Sequence, residues 1–153
     1  MEDLPRLPTQ QQFDPYDGDL DAQWAWKNFG GLTLDQAKAK FKQRPEIYWE
    51  DFMSMGGKAF AYYYPVIDCY LRETQLLPPE DRDDHGTWIL AQCIKNQFRG
   101  WNYPYIRHLK RDILDLCRFV RENLLLFGTD PDELNKIDEQ WAALQQHLEA
   151  TNE

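Results

Sequence analysis

The chain has 153 residues, is 42% hydrophobic and 14% aromatic, and carries six tryptophans, enough to bury roughly two-thirds of its unfolded surface without a metal or disulfide staple. That composition excludes global disorder. The net charge of −9 sits at the ends, −5 over residues 1–21 and −6 over residues 128–153 against +2 between them, a pattern that repels nucleic-acid phosphates and attracts a basic protein. The same charge also serves solubility, with acidic ends folding back on a mildly basic middle.

Residues 1–20 read as an extended acidic N-terminal arm, and 21–153 as a single helical domain. Pro5, Pro8 and Pro15, the run Gln10-Gln11-Gln12 and Asp17-Gly18-Asp19 give the arm neither a helical nor a strand period. A helix begins near Asp19, carries Trp24, Trp26 and Phe29, and stops at Gly30-Gly31. Thr33 with Gln36 three residues on is a capping-box signature for the helix that follows. Pro45 suits the first turn of the next helix, PEIYWEDFMSM, which Gly56-Gly57 ends.

The stretch KAFAYYYPVIDCYLRE, residues 58–73, is apolar nearly all round and reads as a central helix. Pro65 either kinks it or restarts it, and Asp68 stands four residues before Arg72, a favourable helical pair. Two readings stand for the tyrosines, a kinked core helix or a tyrosine-lined groove. LLPPEDRDDHG is a loop, and TWILAQCIKNQF a buried helix closed by Gly100. From 105 to 127 an unbroken stripe of Ile106, Leu109, Ile113, Leu116, Val120, Leu124 and Phe127 predicts one long helix. Asp130-Pro131 opens a last helix with Leu134, Ile137, Trp141, Leu144 and Leu148 on one face. With no alternating pattern of useful length, the expected fold is all-α: a single compact domain of about six or seven helices with an extended N-terminal arm.

EDFMSMGGKAFAYYYPVIDCYL, from Glu50 to Leu71, resembles an aromatic-proline box of small acidic helical bacterial proteins, some of them similar to immunity proteins of secreted toxins. The resemblance covers about a seventh of the chain and brings no catalytic residue with it. It implies a bacterial binding protein.

Sites of chemistry are sparse. The acids of DPYDGDLD lack the alternate spacing and the twelfth-position glutamate of a calcium loop. Asp83 and Asp84 beside His85 serve better as helix-start charges than as ligands. His85, His108 and His147 have no metal-ligand spacing, and the two glycine pairs are not phosphate loops. Cys69, Cys93 and Cys117 are odd in number, far apart and without a C-x-x-C spacing, so they read as reduced core residues. No apolar run reaches the roughly 18 residues that span a bilayer, and the first residues show neither the basic start nor the apolar core of an export signal.

The expectation is therefore a cytoplasmic, non-enzymatic binding protein with no metal, no cofactor, no nucleic acid and no membrane. Its partner is a basic protein, a bacterial toxin that it neutralises as an immunity or inhibitor protein. The expected contacts are Phe13, Asp14, Tyr16, Asp17, Asp19 and Asp21 on the arm, and Asp132, Asp138, Glu139 and Trp141 on the last helix. Phe13, Tyr16 and Trp141 would anchor the complex, and the acids would steer it. The alternatives are a small helical enzyme with a pocket near the Tyr62–Pro65 kink and Asp83–His85, and a homo-oligomeric structural protein. The oligomeric state is not legible.

Overall fold

Proline and glycine punctuate the chain, and helices fill the intervals between them. The computed structural model describes residues 6–15, 18–82, 87–100 and 102–150. The described residues form an all-α domain: α1 (Gln10–Phe13), α2 (Leu20–Phe29), α3 (Leu34–Gln43), α4 (Pro45–Tyr48), α5 (Asp51–Ser54), α6 (Gly57–Glu73), α7 (Thr87–Gln97), α8 (Tyr103–Ile106), α9 (Lys110–Glu122) and α10 (Pro131–Ala150). No strand occurs among them. Six of these helices run to ten residues or more, joined by short helices and 3-10 turns.

The local signals act as physical chemistry requires. Thr33 and Gln36 close a reciprocal capping box, each side chain accepting from the other's backbone N–H at 3.2 and 2.9 Å. Asp19 caps α2 by accepting from the N–H groups of Asp21 and Ala22 at 3.0 and 3.2 Å, satisfying donors that have no partner within the helix. Gly31, at φ +80°, turns the chain out of α2 in a conformation that other residues rarely adopt.

α6 is the axis of the bundle. Ala59, Phe60, Tyr63, Tyr64, Val66, Ile67 and Leu71 are all buried along it, and the helix continues through Pro65 without interruption. Pro65 removes the bond that the Ala61 carbonyl would accept. The Tyr63 hydroxyl donates to the Leu32 carbonyl at 2.7 Å, with the Phe29 carbonyl at 3.0 Å, and so ties α6 to the α2–α3 turn. The Tyr64 hydroxyl donates to Asp68 at 3.0 Å, and Arg72 Nε donates to the other oxygen of Asp68 at 2.7 Å. Burial raises both phenols, Tyr63 to about 12. Of the two readings of the tyrosine run, the core helix describes Tyr63 and Tyr64, while Tyr62 is half-buried.

Three expectations need correction. Where an extended arm was expected, Gln10–Phe13 form a helix capped by Thr9 and packed on the body. Thr9 and Gln12 make a second capping box, Phe13 is fully buried, and its ring meets Trp26 and Tyr63 at 5.3 and 5.8 Å. Gly56 N–H donates to the Phe13 carbonyl at 2.8 Å. A Cβ on Gly56 would lie 2.1 Å from the Gln12 carbonyl oxygen, so only glycine permits that approach. Second, 45–55 is not one helix but α4 and α5, with a break at Trp49–Glu50. Third, the long helix expected over 105–127 is α8, a 3-10 turn over 107–109, α9, and another 3-10 turn over 124–126. The stripe survives because Ile106, Leu109, Ile113, Leu116, Val120 and Phe127 still point inward. α10 covers α7 and α9 with Ile137, Trp141, Leu144 and Leu148.

Candidate functional site

α2 turns Ala22, Ala25 and Phe29 to the core. Trp24 lies two residues beyond Ala22, about 200° round the helix, and is 58% exposed. Leu20 and Ile47 are also largely exposed. Packing of α5 on α2 brings Ile47, Glu50 and Asp51 opposite Asp21, Trp24 and Asn28, and these residues, with Met53 and Ser54, line a cleft of about 510 Å³. A neighbouring hollow of about 270 Å³ shares Asp21 with it and adds Asp14, Asp19 and Arg99.

Asp51 forms the floor. It is 8% exposed. Asn28 Nδ2 donates to its Oδ2 at 2.8 Å. The other oxygen takes no hydrogen bond from a described residue, and Asp51 lines the cleft. Desolvation raises the Asp51 carboxyl from 3.8 to about 6; Asn28 and Lys40 pull it down, while Glu50 and Asp21 push it further up. Lys40 is engaged elsewhere. Its ammonium donates to the Asn28 carbonyl and lies 5.2 and 5.7 Å from the ring centroids of Tyr48 and Phe29. Asp21, Glu50 and Asp51 form no ion pair with a described residue. The Lys27 ammonium sits 4.8 Å from the Trp24 ring centroid.

The floor is fixed from behind. Gln97 Nε2 donates to the carbonyls of Phe52 and Met55 at 2.9 and 2.7 Å, and the Cys93 thiol donates to the Trp49 carbonyl at 3.3 Å. Burial pushes the Cys93 thiol up to about 12, so it is a neutral donor and not a nucleophile at neutral pH. The cleft is thus a preformed surface with an exposed indole, an exposed isoleucine and three carboxylates that form no ion pair with a described residue.

The residues expected to meet a partner are scattered. Phe13 and Trp141 are fully buried in the core, and Trp141 Nε1 donates to the Thr87 carbonyl at 3.1 Å; neither presents a ring to a partner. Asp14 is also buried and accepts from Gly18 N–H and Gln23 Nε2 at 3.0 and 3.4 Å, holding the turn before α2. Tyr16 and Asp17 lie outside the described residues. Asp19 caps α2, and Asp21 reaches the cleft. Asp132 and Glu139 are exposed on α10, while Asp138 pairs with Arg121 at 2.8 Å. α2 packs chiefly on α1 and α5, and α10 on α7 and α9, so the two acidic ends belong to different parts of the bundle. Sequence reasoning missed Trp24, Ile47 and Asn28. The signal for Trp24 was present: the Ala22–Ala25–Phe29 stripe leaves it on the opposite face.

Two other hollows are less coherent. The one between α3 and α6, about 600 Å³, has an apolar wall of Val66, Tyr70 and Leu77, but Lys38 and Lys42 share its rim with Glu73 and Asp81. The one beside Pro65, about 300 Å³, contains Asp68, already held by Tyr64 and Arg72. Asp83, Asp84 and His85, the other half of the expected enzyme pocket, lie outside the described residues. Among the described residues no three His, Cys, Asp or Glu side chains converge as a metal site, and no helix is long and apolar enough to cross a membrane. Compared with known proteins, the chain matches no family model, no curated protein and no solved structure.

Proposed function

We propose that this chain is a small, non-catalytic binding protein that docks a basic protein on its α2–α4–α5 face and acts in the cytoplasm as an inhibitor, in the manner of an immunity protein neutralising a toxin. The observation that carries this reading is the cleft. An indole and an isoleucine, both about half exposed or more, stand among three carboxylates that have no ion pair with a described residue. Interfaces draw their energy from a few anchoring aromatic and aliphatic side chains ringed by polar groups. Acids around such an anchor steer a basic partner during encounter. The overall charge of −9 works in the same direction.

The test uses wild type and the double variant Trp24→Ala, Ile47→Ser as baits in extracts of the source organism. Both residues are exposed, so the variant keeps the fold. The expected result is a basic protein held by the wild type, lost from the variant, and inhibited in its own activity by the wild type. An acidic partner, or equal capture by both baits, overturns the reading.

A further inference from the structure

The cleft has the chemistry of a receptor for one particular side chain. Its floor is a carboxylate with one oxygen engaged by Asn28 at 2.8 Å and the other without a hydrogen bond from a described residue. A second carboxylate, Glu50, stands next to it, and the partly exposed ring of Trp24 forms a wall. Two carboxylates beside an indole suit a planar cation that pairs through a fork of N–H donors and stacks on an aromatic ring. Lys27 over Trp24 shows that this ring already accepts a cation.

We propose that the partner's docking residue is an arginine, whose guanidinium enters between Trp24 and Ile47 and pairs with Asp51 and Glu50. This rests on the reading of the cleft as a partner face and specifies what the face recognises.

A coupling to pH follows from the surroundings of Asp51. From α2 it is faced by Asn28 and Asp21, from α3 by Lys40, and from its own segment by Glu50. Beneath it α7 contributes the neutral Cys93, Asn96 and Gln97, which hold the carbonyls of Trp49, Met53 and Phe52. Asp51 therefore holds a proton up to about pH 6 in the free protein. A guanidinium beside it favours the carboxylate, so binding below that pH expels the proton to solvent. If pairing restores an ordinary carboxylate value, affinity falls about tenfold from pH 7.5 to pH 5, one factor of ten per unit between the two values.

The experiment titrates the full chain with N-acetyl-arginine methylamide, and in parallel with N-acetyl-lysine methylamide, at constant ionic strength. The indole N–H of Trp24, assigned through Trp24→Phe, reports binding by NMR at pH 7.5 and pH 5. The expected result is saturable binding of the arginine amide, severalfold weaker binding of the lysine amide, and about tenfold loss for arginine at pH 5. In Asp51→Asn, binding should be weaker and indifferent to pH; thermal melting of this variant checks that it is folded. Equal arginine and lysine affinities, a Kd that does not move with pH, or an Asp51→Asn protein that binds like wild type overturns the proposal. Those outcomes leave the partner face standing, because capture through Trp24 and Ile47 does not require an arginine. Conversely, arginine binding with undiminished partner capture by the Trp24→Ala, Ile47→Ser bait would overturn the face alone.

Discussion

Replacing Asp51 with Asn should make the protein more stable at neutral pH. The carboxyl is 8% exposed and its value is raised from 3.8 to about 6, chiefly by desolvation. Because the folded-state value lies above the unfolded one, the native state holds the proton more tightly. Stability from this group is full below about pH 4, declines as pH rises towards 6, and stays reduced above that. A rise of about 2 units corresponds to about 3 kcal/mol at pH 7. The penalty shrinks to about 1.5 kcal/mol at pH 5 and to about half a kcal/mol at pH 4. An asparagine at 51 keeps an oxygen to accept from Asn28 and carries no charge, so the variant should gain up to about 3 kcal/mol at pH 7. Urea unfolding of both proteins between pH 4 and pH 8 measures the difference directly. Curves that separate with rising pH support the argument. A variant that is equal or less stable at pH 7, or a gap that does not change with pH, refutes the claim that Asp51 is ionised at a cost. Functional surfaces are where proteins tolerate such costs, which is why the residue matters beyond stability.

The other predictions concern packing, reactivity and encounter. Gly56→Ala should destabilise by roughly 1–3 kcal/mol, because its Cβ would lie 2.1 Å from the Gln12 carbonyl oxygen; thermal or urea unfolding reads it. Tyr63→Phe should cost about 1–2 kcal/mol by removing the donor to the half-buried Leu32 carbonyl, while the Phe29 carbonyl keeps the Leu32 N–H at 3.1 Å, measured the same way. Native protein at pH 8 should react with a thiol reagent at half-buried Cys69 first, with buried Cys93 and Cys117, both pushed up to about 12, reacting only on unfolding; mass mapping of the labelled peptides decides it. Partner association should slow as salt rises, and Asp19→Asn with Asp21→Asn should flatten that dependence with little effect on the dissociation rate, read by surface binding kinetics.

Local chemistry was legible in the residues, and tertiary placement was not. Thr33 with Gln36, Asp19 before α2, and Asp130-Pro131 before α10 are short-range signals, so the helix starts could be read from neighbours in the chain. The stripe from Ile106 to Phe127 was read correctly as a buried face, but periodicity survives a single 3-10 turn, so the interruption at Arg107–Leu109 left no mark in the pattern. The Thr9–Gln12 box carried the same signal as Thr33–Gln36 and was hidden by the prolines and glutamines around it. Asp138 and Glu139 beside Trp141 suggest a surface anchor. Its membership of the Ile137–Leu148 stripe was the stronger argument, and burial against Thr87 follows it. The cleft needs residues from 21–28 to meet residues from 47–51, a juxtaposition created only when α5 packs on α2. Nothing in the sequence marks Asp51 as buried or Glu50 as its exposed neighbour.

The central claim is that the partner meets the protein at Trp24. A photo-reactive benzophenone residue placed at position 24, and separately at exposed position 132 on α10, tests it in cells of the source organism. The expected result is a crosslink from position 24 to a basic segment of one protein, weakened by high salt, and none from position 132. Crosslinking from position 132 with none from position 24 would contradict it.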